Sequence, residues 1–122
     1  MVLWLGRAPP PDDLVPGLRG LLELPQAQII THGLETLSAS VLREQRPRVV
    51  VSTLFWPGGD VLDAGKALSA LAYAGPYRAL APPLPDRALI EREVRTLCPG
   101  LDFAVIEFRA EGLTGTTGPG GG

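Results

Sequence analysis

The chain has 122 residues but only one cysteine (Cys98), one histidine (His32) and one lysine (Lys66). A lone cysteine excludes an internal disulfide and a zinc site built from several thiolates, so Cys98 reads as a small hydrophobe near a helix end. Long apolar runs are missing as well. No stretch approaches the ~20 consecutive apolar residues that a membrane-crossing helix requires. The opening Met1-Val2-Leu3-Trp4-Leu5-Gly6-Arg7 places no basic segment ahead of its apolar run, which argues against a secretory leader and makes the cytoplasm the expected compartment. An excess of one charge is also lacking: the formal net charge of −2 supplies no drive toward nucleic acid or an anionic membrane. Neither a Gly-x-Gly-x-x-Gly nor a Walker phosphate loop occurs, and no Gly-x-Ser-x-Gly nucleophile elbow is found. The basic residues are almost all arginine, a bias that fits genome base composition better than a binding need.

What is present fits one globular domain. Hydrophobic residues make up 45% and charged residues 20%, ordinary values for a chain long enough to bury a core. Short apolar runs alternate with segments of helical period. Val2–Leu5 reads as a first strand, and Asp12 and Asp13 precede a helix carrying Leu14, Leu18, Leu21 and Leu22, with Pro16 tolerated in its first turn. Gln28–Thr31 is the second strand. Leu34, Leu37, Val41 and Leu42 follow at helical spacing until Pro47 closes the element.

The third strand, Val49–Phe55, is the most apolar and β-branched, as a central strand covered on both faces should be. Asp60 is the expected cap of a third helix with Val61, Ala64, Leu68, Leu71 and Ala72 inward, stopped by Gly75-Pro76. Tyr77–Ala81 is a fourth strand. Pro82, Pro83 and Pro85 stiffen the loop before a helix that begins at Asp86, turns Ile90, Val94 and Leu97 inward and turns Glu91, Arg92, Glu93 and Arg95 outward. Asp102–Phe108 is the fifth strand. Strands separated by helices imply parallel pairing, and the expected architecture is a three-layer α/β fold with a five-stranded parallel sheet in the order 2-1-3-4-5.

Residues 1–109 are thus expected to form the domain, and 110–122 a flexible Gly- and Thr-rich tail. A fifth helix is therefore expected to be absent, which predicts either a bare apolar face on the fourth and fifth strands, and with it self-association or docking, or a face covered by Leu113 and the tail.

The segment Val-Val-Val-Ser-Thr-Leu-Phe-Trp-Pro-Gly-Gly-Asp at 49–60 resembles the central strand and following loop of a response-regulator receiver domain. In that family an aspartate stands four residues ahead of the Pro-Gly pair, and here that position is Thr53. The resemblance spans residues 1–109, with motif support around 49–60, and implies a CheY-like, flavodoxin-like fold in bacterial two-component signalling. Receivers hold Mg²⁺ with an acidic pair after the first strand, because a hard cation takes carboxylate oxygens. A hydroxyl after the fourth strand and a lysine after the fifth complete their site. Here Gly6-Arg7-Ala8-Pro9-Pro10-Pro11 follows the first strand, no serine or threonine lies between Ser69 and Thr96, and Lys66 is on the third helix. Arg109, near the fifth strand's end, is not the family's lysine. Nucleophile, metal ligands and cationic partner are all missing.

The expectation is therefore a degenerate pseudo-receiver, not an enzyme, with no cofactor and no metal. It would act by phosphorylation-independent protein–protein interaction, as a homodimer or with another protein. Its expected surface is the fourth helix, the fifth strand and the uncovered sheet face, which resembles the region receivers use for dimers. The alternative is a small-molecule or anion-binding domain at the carboxyl edge of the sheet, with Arg7, His32, Trp56 and Asp60 as edge residues beside Thr53. Arg7 there either holds an anion or forms a salt bridge to Asp60. Trp56, flanked by Phe55, is either an exposed contact or is packed beneath the prolines at 82–85. A hydrolytic reading of His32, Asp60 and the hydroxyls of Ser52 and Thr53 has no elbow motif behind it.

Overall fold

The structure, a computed structural model, describes residues 1–12, 14–24 and 26–107. Along the chain come β1 (Val2–Leu5), α1 (Val15–Leu21), β2 (Ile29–His32) and a 3-10 turn (Leu34–Thr36). Then follow α2 (Ala39–Gln45), β3 (Val49–Thr53), β4 (Phe55–Trp56), β5 (Gly59–Asp60) and α3 (Val61–Ala70). β6 (Pro76–Ala81), α4 (Arg87–Leu97) and β7 (Asp102–Glu107) complete the described chain. Five strands form one all-parallel sheet in the order β2-β1-β3-β6-β7, with β4 and β5 as a separate antiparallel pair. The five long strands thus adopt the expected 2-1-3-4-5 order, a three-layer flavodoxin-like α/β architecture.

Strand alternation divides the core in two. Leu3, Leu5, Val50, Tyr77, Ala79, Phe103 and Val105 face the layer of α3 and α4, where Ala64, Leu68 and Val94 are fully buried. Val2, Trp4, Val49, Val51 and Leu80 face the other way, against Leu18 of α1. α3 and α4 approach closely at Gly65, where an added Cβ would lie 3.3 Å from Cys98 Sγ and 3.4 Å from Val94 Cγ1. Cys98 is buried, as expected of a hydrophobe at a helix end.

Several boundaries differ from the sequence reading for identifiable reasons. The helix expected from Leu34 splits, because Ser38 adopts extended backbone and its Oγ accepts from the Val41 N–H at 3.2 Å, capping α2 afresh. Asp12 lies ahead of α1, whose N-cap is Leu14 without a side-chain bond, while Pro16 is accommodated at the helix start. β3 ends at Thr53, because Phe55 and Trp56 turn off into the hairpin. In α4, Leu97 is 55% exposed rather than inward, whereas Glu91 and Arg95 reach back to the backbone of β7.

On the face expected to be bare, Leu80 is 1% exposed and Ile106 is half-buried against the second core, so these side chains form no open apolar patch. The fifth helix, Phe108, Arg109 and the 110–122 tail lie outside the described residues.

The third helix stops before Gly75-Pro76. Its C-cap is Leu71, Ala72 takes φ +57°, and the Tyr73 N–H donates to the Leu68 carbonyl at 2.9 Å, a Schellman closure with alanine where glycine is usual. Ala72 is consequently exposed instead of inward. The left-handed region costs an L-residue about 1 kcal/mol. Ala72→Gly is expected to raise the free energy of unfolding by up to ~1 kcal/mol, measured by urea denaturation, despite touching no core contact.

Candidate functional site

In an open parallel sheet the strands' carboxyl ends form the crevice where ligands bind. Arg7 follows β1, His32 ends β2 and Thr53 ends β3, so the topology does bring these residues to one edge. Trp56 and Asp60 belong to the hairpin that rises from it. What each side chain does there is another matter.

The hairpin follows from local sequence. Phe55 pairs with Asp60 and Trp56 with Gly59, leaving Pro57-Gly58 as a two-residue turn with Gly58 at φ +106°. Proline fixes the first turn position and glycine supplies the positive φ that the second requires. Gly59 is equally constrained. A Cβ there would stand 3.1 Å from both Leu34 Cδ2 and Trp56 Cζ2, so the ring of Trp56 and the side chain of Leu34 close over the backbone. Trp56 is half-buried on the first core, and Phe55 is 76% exposed. The exposed aromatic is therefore Phe55 alone, not the expected pair.

The Thr53 hydroxyl donates to the Phe55 carbonyl at 2.9 Å, bridging the end of β3 to the hairpin. Asp60 has a structural task. Its Oδ1 accepts from the Asp63 N–H at 2.9 Å, while Asp63 Oδ2 accepts from the Asp60 N–H at 3.2 Å, a reciprocal capping box at the start of α3. The Asp-x-x-Asp spacing carries that signal in the sequence. No Arg7–Asp60 ion pair forms: Arg7 is exposed, and the ion pairs among the described residues are Arg78–Asp102 at 3.2 Å and Arg87–Glu107 at 3.8 Å.

His32 is tied down locally. Thr36 Oγ1 donates to the Gly33 carbonyl at 3.2 Å, and His32 Nδ1 lies 3.0 Å from that hydroxyl and 3.2 Å from the same carbonyl. The hydroxyl that sequence reasoning set at this edge, Ser52, is fully buried instead. Its Oγ lies 2.6 Å from the Tyr77 hydroxyl and donates to the Thr53 carbonyl at 2.8 Å, so the Tyr77 hydroxyl is the donor to Ser52. Tyr77 was expected only as a strand residue, and its pairing with Ser52 had no signature in the spacing.

No nucleophile–base–acid relay results from these bonds. Among the described residues, no three His, Cys, Asp or Glu side chains converge as metal ligands would. A concavity of about 500 Å³ lies elsewhere, between the start of α1 and β2, lined by residues such as Pro10, Arg19 and Thr31.

No protein-family profile, curated protein or solved structure matches this chain. Architecture alone defines its class: a three-layer α/β domain of flavodoxin-like strand order.

Two outcomes distinguish structural from chemical roles at this edge. Asp60→Ala is expected to lower stability by ~1 kcal/mol through loss of the cap, and by the same amount with or without Mg²⁺. Urea unfolding in both buffers measures it, and a Mg²⁺-dependent difference would reassign Asp60 as a metal ligand. The phenols predict a high-pH limit. Burial pushes Tyr73 up to about 12 and drives Tyr77 higher still, so both favour the neutral form in the folded state. Their contribution is intact below the unfolded phenol value of ~10 and is lost as pH rises through about 12 and beyond. Tyr77→Phe should therefore cost about 1 kcal/mol at neutral pH, for the lost bond to Ser52, and weaken the alkaline loss of stability.

Proposed function

We propose that this chain is a phosphorylation-independent protein-interaction domain, a receiver-like scaffold serving signalling or regulation without phosphotransfer chemistry. The observation that carries the reading is Phe55, 76% exposed on a hairpin whose strand residues are held by packing and hydrogen bonds. Trp56 packs on the core, Gly59 is enclosed, Thr53 bonds the Phe55 carbonyl, and Asp60 caps α3. A large aromatic held on a rigid support loses little conformational entropy when a partner covers it, which is the property of binding hot spots. Leu89, 49% exposed in the first turn of α4, adds apolar surface at the same end of the sheet.

The anion-binding alternative is less well supported, because Thr53 Oγ1, His32 Nδ1 and Asp60 Oδ1 are each engaged with neighbouring backbone or side-chain groups. Arg7 remains as an exposed cation beside the turn, its Nε 3.9 Å from where a Gly58 Cβ would stand.

Phe55→Asp should leave stability within about 0.5 kcal/mol of the parent, since exposed positions tolerate change. The same substitution should abolish retention of protein partners by the immobilised chain. Retention unchanged by Phe55→Asp removes the hairpin from the interface. Acetyl phosphate or beryllofluoride with Mg²⁺ should give no saturable spectral change, and such a change would restore a receiver's chemistry. A saturable thermal shift with phosphate, nucleotide or flavin would favour the anion reading.

A further inference from the structure

The two outer strands of the sheet are finished differently. On β7, the Glu91 carboxylate accepts from the Val105 N–H at 2.8 Å and Arg95 Nη2 donates to the Phe103 carbonyl at 3.0 Å. These groups from α4 stand where the backbone of a next strand would stand, and they occupy part of that edge. β2 is treated otherwise. The Val2 N–H donates to the Gln28 carbonyl at 2.8 Å and the Gly6 N–H to the His32 carbonyl at 3.1 Å, so residues 28, 30 and 32 direct their backbone groups to β1. Parallel alternation then directs the N–H and carbonyl of Ile29 and Thr31 outward. Among the described residues, no loop or side chain bonds these groups; the nearest such contact is Arg19 Nε to the Ala27 carbonyl at 2.9 Å. Gln28-Ile29-Ile30-Thr31-His32 contains no lysine, acid or proline of the kind that protects an edge.

We propose that β2 pairs antiparallel with β2 of a second copy about a two-fold axis at Ile30, joining two sheets into one. The register is self-complementary. Ile29 of one copy falls opposite Thr31 of the other, each such pair exchanges two hydrogen bonds, and the two-fold repeats the pair. All the outward groups of the strand are then satisfied. Ile30 meets its own copy in the close, non-hydrogen-bonded position, and Gln28 lies opposite His32, an amide facing an imidazole. A strand without formal charge brings no like-charge repulsion to the axis. A parallel arrangement of identical edges would not close, so the two-fold is the arrangement selected. The concavity of about 500 Å³ borders this strand on the α1 side, and there Ile29 of the second copy, placed opposite Thr31, finds room.

Sedimentation of the full chain should give the mass of a dimer. Thr31→Pro removes an outward donor without touching the ladder to β1, and should halve that mass with the circular dichroism retained. Ile30→Cys should form an intermolecular disulfide on mild oxidation, because facing Cα atoms ~4.5 Å apart fall within disulfide range. The parent chain, whose Cys98 is 2% exposed, should not. A monomer at every concentration overturns the proposal. So does a dimer that Thr31→Pro leaves intact and Ile30→Cys fails to trap. If Thr31→Pro does not fold, the cross-link decides.

Discussion

A parallel sheet must be covered on both faces, and that requirement governs this molecule from β3 outward. Val50 and Val51 are wholly buried on opposite sides of the same strand, one under the helices α3 and α4, the other facing the α1 layer. Side chains at these positions are buried from solvent, so a polar group placed among them must carry its own partner. Ser52 meets the condition with the Tyr77 hydroxyl on one side and the Thr53 carbonyl on the other. The Tyr77 ring also packs against Phe103, with centroids 5.2 Å apart, so a single side chain links β3, β6 and β7 through one hydroxyl and one aromatic contact.

The same requirement sets the character of the carboxyl edge. A strand leaving a dry core must turn, and here it turns at once into a tight hairpin rather than an open loop. That choice consumes polar atoms. The Thr53 hydroxyl bonds the backbone two residues on, and Asp60 is committed to the first turn of α3. An open crevice with uncommitted carboxylates could gather a metal or a phosphoryl group, whereas this hairpin, braced at Trp56, Gly59 and Asp60, presents shape. Phe55 remains exposed there, an apolar surface that, under the proposed reading, a partner could cover without first ordering its support.

Strand identity and order were legible in the sequence because they rest on runs such as Val49–Val51 and on helices long enough to force parallel crossovers. The helix ends were less so. Glycine and proline punctuation is a reliable sign only when glycine takes the left-handed position, and here Glu23, Arg46 and Ala72 take it instead, at φ +57°, +45° and +57°. Ser38 was a cap hidden inside an apparently continuous apolar period. At the candidate site, the positions of Arg7, His32, Thr53 and Asp60 followed from topology, but their roles did not. Whether a hydroxyl faces solvent, a neighbouring carbonyl or a buried phenol depends on alternation parity and on a partner from another strand, as Ser52 and Tyr77 show. The hairpin was written locally, in Pro57-Gly58, yet a two-residue ladder is too short to stand out from a loop by periodicity.

The helix expected to turn charge to solvent turns part of it inward for a reason that bears on assembly. Glu91 and Arg95 sit on the α4 stripe that meets β7, and their charged tips replace a missing strand with two hydrogen bonds. Glu107 strengthens the same border by accepting from the Leu84 N–H at 3.1 Å and facing Arg87. An edge occupied in this way resists pairing with a further strand, so the proposed β2 contact would join two copies rather than seed a fibre. The asymmetry also separates tasks in space. The hairpin follows the carboxyl end of β3, whereas the outward groups of β2 are the backbone of Ile29 and Thr31. A partner on Phe55 and a second copy on β2 would therefore not compete for the same atoms.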